Sequence, residues 1–185
     1  MIDYSLLQRS VEHYQSEGFK RVEVPWMVTP SISAITKPVE KVDFLIESLG
    51  KVLVASAEQS FLYQYLKGFL PPGRFQAITP CFRDERFDVL HGRYFMKNEL
   101  IITDSVAEED LLGMIDVARR FFKKESGYAV DVSKISENTY DMSINGVEVG
   151  SYGIRRCEYL EWIYGTGCAE PRFSQVLFQG NGLPH

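Results

Sequence analysis

The stretch TPCFRDERFDVLHGRYFMKNEL, residues 79–100, places charged and aromatic side chains on both sides of a short interruption. Alternating hydrophobicity predicts two long strands around it, residues 73–83 and 93–103. If these strands pair as an antiparallel hairpin, residues of the same parity project from one face. That face would carry five side chains suited to binding or chemistry: Arg83, Glu85, Phe95, Lys97 and Glu99.

Two interpretations of this face are open. One is a solvated sheet surface with cross-strand ion pairs, in which Lys97 neutralises the neighbouring glutamates. The other is a nucleotide site, because the row combines a guanidinium for phosphate, a carboxylate for an exocyclic amine and a ring for stacking. Phe95 lies in the same row as the charges and favours the second interpretation.

The hydrophobic pattern extends outward from the hairpin over the rest of the chain. Periodic spacing predicts helices over residues 4–17, 57–69 and 108–125, and a proline begins a further helix at residues 171–179. Other segments alternate as strands: residues 19–24, 128–135, 139–144, 147–154 and 159–165, with a hairpin over 44–55 that turns at Gly50. Asn145-Gly146 is a strong hairpin signal. We therefore expect an α+β fold, an antiparallel β-sheet flanked by helices.

Composition limits the class of protein. The chain has 185 residues, of which 45% are hydrophobic and 24% charged, and we expect a single domain, residues 1–185. No apolar run is long enough for a membrane span, and no secretory signal is evident at the N-terminus, so a cytoplasmic protein is expected. Three cysteines without CxxC spacing favour reduced, mostly buried thiols. A net charge of −5 gives no general attraction for nucleic acid.

Three separated stretches, in order, resemble the three motifs of class II aminoacyl-tRNA synthetases. EGFKRVEVPWM, residues 17–27, is similar to motif 1, and the hairpin with Phe82-Arg83-Asp84-Glu85 is similar to motif 2. GTGCAEPRFSQVL, residues 165–177, is similar to motif 3. The resemblance covers nearly the whole chain and implies a synthetase-like catalytic core without an anticodon-binding domain.

The branch signals within the family are mixed. SAEQS, residues 56–60, resembles a loop of the seryl and prolyl branches, whereas residues 140–156 resemble a strand pair of the aspartyl branch. Phe61 stands where the aspartyl branch would supply a lysine, so aspartate specificity is not predicted. Pro171 stands where motif 3 normally has an acid, although the seryl branch also lacks that acid.

The resemblance implies an ATP site. Arg83 would hold the α-phosphate and the substrate carboxylate, and Glu85 would accept a hydrogen bond from the adenine amino group. Phe95 and Arg172 would stack on the two faces of adenine, and Arg172 and His91 would reach the γ-phosphate. Arg83 and Arg172 are thus the expected catalytic residues.

The resemblance also implies a magnesium site and an amino-acid pocket. Glu148 would coordinate Mg²⁺ on the ATP phosphates, with Asp141 as a second ligand. Glu58 and Glu99 would meet the α-ammonium group of the amino acid. The same pocket is expected to include Ser151 and Arg155.

Three functions follow as hypotheses. The first is ATP-dependent activation of an amino acid to an aminoacyl adenylate, with transfer to tRNA. The second is an amide synthetase or a ligase that aminoacylates a carrier protein. The third is a non-catalytic paralogue that binds nucleotide or amino acid as a regulator; the presence of Arg83, Glu148 and Arg172 speaks against it.

Motif 1 implies a homodimer. Residues 24–28, Val-Pro-Trp-Met-Val, form an apolar run that is unusual for a solvated edge. We expect Pro25 and Trp26 to lie in a two-fold interface. A helix of the same chain covering this run is the alternative. Trp162 is expected to pack in the core or an interface.

Overall fold

The computed structural model describes residues 1–84 and 94–180 of the chain. Within these ranges the chain forms five α-helices: α1 (Tyr4–Ser16), α2 (Pro30–Thr36), α3 (Ala57–Leu66), α4 (Glu108–Ser126) and α5 (Arg172–Gly180). The short strands are β1 (Lys20–Arg21), β2 (Met27–Val28), β3 (Leu45–Ile46) and β4 (Lys51–Leu53). The long strands are β5 (Arg74–Phe82), β6 (Tyr94–Ile102), β7 (Asp131–Ser136), β8 (Thr139–Ile144), β9 (Val147–Arg156) and β10 (Glu161–Glu170).

Seven strands form the main sheet, in the order β1-β5-β6-β10-β9-β8-β7. Every neighbouring pair is antiparallel except β1 with β5, which is parallel. The remaining three strands form a small sheet in the order β2-β4-β3. The predicted α+β class with an antiparallel sheet flanked by helices is confirmed.

Strand β6 shows how the two faces of the main sheet are used. Leu100 and Ile102 pack with the apolar faces of α1, α4 and α5 on one side. Ile101, between them, packs on the opposite side with Phe61 and Leu62 of α3. Because side chains alternate along a strand, α1, α4 and α5 cover one face around β6, and α3 covers part of the other. The uncovered part of that second face is open to a cavity.

Local backbone chemistry explains several boundaries that the sequence predicted. Helix α1 begins where the Asp3 side chain accepts a hydrogen bond from the backbone N–H of Leu6, and ends before Gly18, whose φ is +91°. Asn145 and Gly146 both have positive φ, 52° and 79°, as a two-residue type I′ hairpin requires.

The structure differs from the predicted elements in three places. The strand predicted over residues 19–24 keeps only two residues, Lys20–Arg21. Strand β10 continues to Glu170, past the predicted end at residue 165, by way of a bulge between Thr166 and Cys168. Helix α2 was not predicted; Pro30 in its first turn is the signal that marks it.

The thiols agree with the sequence prediction. Cys81 and Cys168 are buried, Cys157 is partly buried, and all three are free. Burial raises the pKa of Cys81 to about 11, which keeps this thiol protonated at neutral pH. No helix within residues 1–84 and 94–180 has the length and apolar character needed to cross a membrane.

Candidate functional site

A cavity of about 330 Å³ opens on the face of the main sheet that α3 leaves uncovered. Its lining includes the end of β5, the start of β6, the start of α3, parts of β9 and β10, the junction of β10 with α5, and residues 36–43. Eight of the residues predicted for substrates or metal line it: Glu58, Arg83, Phe95, Glu99, Glu148, Ser151, Arg155 and Arg172.

The hairpin of β5 and β6 supplies two of these residues. Cys81 pairs with Phe95 across the hairpin, so Arg83, two residues after Cys81, projects from the same face as Phe95. The guanidinium carbon of Arg83 lies 5.1 Å from the centroid of the Phe95 ring. Its Nε–H donates to the carbonyl oxygen of Ala55, at 3.2 Å. The arginine is thus fixed between an aromatic face and a backbone acceptor.

Arg172 and Glu148 meet at the opposite side of the cavity. The Arg172 Nη1 atom lies 3.5 Å from Glu148 Oε1, although the two residues come from α5 and β9. Glu148 is exposed to the cavity, since 51% of its side chain is accessible. Two residues predicted for ATP and its metal are therefore neighbours in space.

Two of the predicted residues are not described by the structure, and a third does not line the cavity. Glu85 and His91 lie outside the described residues, so their predicted contacts with ATP stay predictions. Asp141 pairs with Ser151 across β8 and β9 and shares its face of the sheet, but it does not line the cavity. Within the described part of the chain, no group of three or more His, Cys, Asp or Glu side chains is arranged to hold a metal ion.

Glu58 lies at the buried end of the cavity, and both of its oxygens are occupied. Arg155 Nη1 donates to Oε2 at 2.6 Å, and the Trp162 indole N–H donates to Oε1 at 2.7 Å. Burial raises the pKa of Glu58, and the charge of Arg155 offsets part of that effect. Arg155 also stacks on Tyr164, with its guanidinium carbon 4.2 Å from the ring centroid. The Glu58 carboxylate therefore holds Arg155 against the cavity.

Glu99 differs from Glu58 because only one of its two carboxylate oxygens accepts a hydrogen bond from the described residues. Lys97 Nζ donates to Oε1 at 2.8 Å, a buried ion pair that confirms the predicted neutralising role of this lysine. Burial opposes the charge on Glu99, but the charge and hydrogen bond of Lys97 outweigh burial and lower its pKa. The nearby Ser56 hydroxyl also contributes to lowering the pKa, yet Oε2 makes no hydrogen bond within usual geometric limits to any described residue.

Glu170 has a structural role in the segment that resembles motif 3. Glu170, two residues before Arg172, is buried and accepts hydrogen bonds from the backbone N–H and the hydroxyl of Ser174. It also accepts from the backbone N–H of Asp3. Burial raises the pKa of Glu170, and these hydrogen bonds partly offset the rise. The acid here caps α5 and fixes the start of α1.

Sequence reasoning missed one side of the cavity. Thr36, Lys37, Lys41 and Asp43 line it from the segment after α2, and Gln59 joins them from α3. The signal in the sequence was Gln59, a polar residue within the helix predicted over residues 57–69. In the structure this side chain is only 1% exposed, in the buried first turns of α3. Trp162 is buried as expected, but its hydrogen bond to Glu58 was not foreseen.

The fold is shared with solved tRNA synthetases. Two structures of a pyrrolysyl-tRNA synthetase from Desulfitobacterium hafniense superpose with TM-scores of 0.74 and 0.72, at 19% and 18% identity. They cover 96% and 98% of this chain, which spans 67% and 70% of theirs. A cytoplasmic serine-tRNA ligase from Naegleria fowleri, in complex with AMP, has a TM-score of 0.70 at 16% identity. It covers 93% of this chain, which spans 52% of it.

These similarities confirm the predicted fold, that of a class II aminoacyl-tRNA synthetase catalytic core. No protein-family model matches the sequence, and no curated protein sequence matches it. The likeness is therefore one of structure, and the chain spans about half to two thirds of the synthetases that it resembles.

Proposed function

We propose that this protein activates an amino acid with ATP, forming an aminoacyl adenylate that it passes to tRNA or to another acceptor. The observation that carries the proposal is one continuous cavity. Residues that the resemblance implies for ATP and for an amino acid, up to 114 positions apart between Glu58 and Arg172, line the same 330 Å³ space. The synthetase fold supports the same class of ligase.

In the proposed reaction the amino-acid carboxylate attacks the α-phosphorus of ATP. A bond forms between a carboxylate oxygen and that phosphorus, and the bond to the bridging oxygen of pyrophosphate breaks. The substrate carboxylate is the nucleophile, so no side chain has to supply one. The role of the protein is to position both substrates and to stabilise the charge that develops at phosphorus.

Arg83 is suited to this stabilisation because its side chain is already fixed. The Ala55 carbonyl holds Nε, and the Phe95 ring lies beneath the guanidinium. Its Nη groups would face an α-phosphate. Donors that are held in place before reaction cost little reorganisation in the transition state. Phe95 would carry adenine beside this arginine, and Arg172 would reach the outer phosphates.

The available oxygen of Glu99 is the stronger candidate for the α-ammonium group. Glu58 already accepts from Arg155 and Trp162, whereas Glu99 lines the cavity and its Oε2 is a buried acceptor without a hydrogen bond from the described residues. A buried acceptor without a partner is costly, so an ammonium donor would bind there favourably. Glu58 is then assigned to orienting Arg155. Ser151 is assigned to the adjacent surface of the pocket.

Mg²⁺ is the cofactor that we propose at Glu148. This ion commonly uses one or two carboxylates and completes its coordination with phosphate oxygens and water. A single cavity-exposed carboxylate beside Arg172 fits that habit. When bound with ATP, the ion would neutralise phosphate charge. Asp141, on the same sheet face, would act as an outer partner.

The test is amino-acid-dependent exchange of labelled pyrophosphate into ATP, screened over all amino acids with and without total tRNA. We expect exchange with one or a few amino acids. Arg83→Ala is expected to lower it about 10²- to 10³-fold, the usual effect of losing one preorganised donor. Arg74→Ala, on the same strand but remote from the cavity, is the matched control.

The measurements with and without tRNA distinguish the alternative functions. Labelled amino acid that becomes attached to tRNA supports aminoacylation, and exchange without tRNA charging supports an amide synthetase or a carrier-protein ligase. ATP–Mg²⁺ binding with no exchange for any amino acid would contradict the proposal and favour a regulator.

A further inference from the structure

A continuous chain of hydrogen bonds connects Arg83 to the cavity wall formed by residues 36–43. The Ala55 carbonyl accepts from Arg83, and the Ala55 N–H donates to Gln59 Oε1 at 2.8 Å. Gln59 Nε2 donates to the carbonyl oxygen and the hydroxyl of Ser33, at 3.2 and 3.1 Å. The Ser33 hydroxyl donates to Asp43 Oδ1 at 2.7 Å. The chain thus runs through five residues from three separate segments.

The Ala55 N–H and the Asp43 carboxylate determine which atom is the donor in each of these hydrogen bonds. A backbone N–H can only donate, so the Gln59 oxygen must face Ala55, and its amide nitrogen must face Ser33. A carboxylate accepts only, so the Ser33 hydroxyl must donate to Asp43. Reversing the Gln59 amide would place two donors against Ala55 and an acceptor against the Ser33 carbonyl. Gln59 therefore has a single allowed orientation.

Burial makes this orientation energetically important. Gln59 is 1% exposed and Ser33 is fully buried, so water cannot replace a lost partner. At the outer end, Asp43 Oδ2 lies 3.1 Å from Lys37 Nζ, and the same ammonium donates to the carbonyl oxygen of Lys41. The wall and the Ala55 carbonyl are consequently held in one fixed relation.

We infer that Gln59 is a positioning residue: it holds the backbone N–H of Ala55 and so orients this residue, whose own carbonyl, in the next peptide group, fixes the Nε–H of Arg83. The inference rests on the proposed function for its catalytic meaning, because Arg83 is the residue that would face the α-phosphate. Gln59 lines the cavity together with Ala55 and Ser56. It acts on Arg83 through the backbone of Ala55.

The first experiment measures Arg83 directly and does not depend on ATP. In ¹⁵N-labelled protein, the Arg83 Nε–H resonance is assigned by its loss in Arg83→Lys, and its exchange with water is measured. Gln59→Met preserves length but removes all three hydrogen bonds of the side chain, and we expect exchange at least about tenfold faster. Unchanged exchange in Gln59→Met would overturn the inference.

A matched control and a second variant protect this experiment from misfolding. Gln64→Met removes an equivalent amide from α3, one that donates to the Glu23 carbonyl, and is expected to leave Arg83 unchanged. If Gln59→Met does not fold, Gln59→Asn keeps the amide but is one methylene too short to reach both the Ala55 N–H and the Ser33 carbonyl. Faster Arg83 exchange in Gln59→Asn supports the inference, and parental exchange contradicts it.

The second experiment measures the dissociation constant of ATP–Mg²⁺ by calorimetry. Gln59→Met is expected to raise it about five- to tenfold, the size of one lost positioning hydrogen bond. Arg83→Lys keeps the charge but has no Nε–H for Ala55, so adding Gln59→Met to it should change the constant less than about twofold. Equal effects in both backgrounds would show that Gln59 acts on the fold alone. If the parental protein binds no ATP, the proposed function fails while the exchange result still decides the positioning role.

Discussion

The guanidinium carbon of Arg83 lies 5.1 Å from the centroid of the Phe95 ring, within the range of a cation–π contact. The same ring is the proposed platform for adenine. A base stacked there would lie beside the arginine that we propose to face the α-phosphate. Under the proposed function, this contact would connect nucleotide recognition with the placement of the reacting phosphate.

Phe95→Leu tests this double role. Leucine keeps the apolar contact but lacks a flat face, so we expect about tenfold weaker binding of ATP–Mg²⁺, since one base–aromatic stack contributes about 1–3 kcal/mol. Calorimetry provides the measurement. Phe69→Leu, an exposed phenylalanine outside the cavity, should leave affinity unchanged. Parental affinity in Phe95→Leu would rule out the stacking role.

Glu148→Gln tests the magnesium site. The amide keeps the shape of the carboxylate but removes its charge, so we expect the Mg²⁺ concentration for half-maximal pyrophosphate exchange to rise about tenfold. Amino-acid binding should persist. Glu161→Gln, on β10 and paired with Arg156, is the control. Equal magnesium dependence in both variants would exclude Glu148 as a ligand.

The homodimer predicted from motif 1 is tested at Trp26, which is 53% exposed in a single chain. We expect light scattering at low micromolar concentration to give about twice 21.2 kDa. Trp26→Glu would bury a charge in the interface and should yield a monomer. Tyr159→Glu alters another exposed aromatic and should stay dimeric. A monomeric parent whose Trp26 fluorescence reports a solvated indole would remove the prediction.

The pair Lys97 and Glu99 predicts a specific pH dependence of stability. The pKa of Glu99 is lowered in the folded protein, so its stabilising contribution is present above the unfolded pKa, about 4.5, and is lost as pH falls through the lower folded value. Glu99→Gln removes one partner of a buried pair and should cost about 3–5 kcal/mol near neutral pH. That cost should shrink below pH 4.5. Urea unfolding from pH 3 to 7 measures it.

Glu58 provides a control of opposite sign. Its pKa is raised in the folded protein, so folding binds protons in the window above about pH 4.5, and stability falls as pH rises through that window. The stability of Glu58→Gln relative to the parent should therefore improve as pH rises from 4.5. The same trend in both variants would contradict the assigned directions.

Gly165 of the motif 3 segment is required by packing. A Cβ at this position would overlap Met114 Sδ and lie 2.7 Å from Tyr152 Cδ1. Gly165→Ala should destabilise the fold by about 1–3 kcal/mol, the usual cost of overpacking. Gly113→Ala meets nothing within 4 Å and lies in α4, so it should stabilise by roughly 0.5–1 kcal/mol. Thermal and urea unfolding compare the two; stabilisation by both substitutions would contradict this packing.

The sequence predicted the hairpin half of the site because two-residue periodicity is local. Once β5 and β6 pair, parity alone places Arg83, Phe95 and Glu99 on one face. The contact of Arg155 with Glu58, 97 positions apart, depends instead on how β9 packs against α3. No local pattern encodes that packing.

The bulge between Thr166 and Cys168 shows the same limit within one strand. Alternation predicts a strand, but an extra residue shifts the register and changes which side chains face the cavity. The buried hydroxyls of Tyr14 and Tyr152 donate to the carbonyls of Gly167 and Thr166 and fix that shift from other elements. Such long-range partners are visible only in the folded chain.

The two-residue turn at Asn145 and Gly146 restricts how this protein can evolve. Glu148 follows the turn by two positions, and the pairing of β8 with β9 sets which face it occupies. One residue inserted into the turn would slip that pairing and rotate Glu148 and Ser151 from the cavity toward the core beneath α4. An exposed loop usually tolerates changes in length. Here we expect side-chain substitution to be tolerated only where positive φ allows it, and insertions or deletions to be eliminated because they would displace Glu148, the proposed metal ligand.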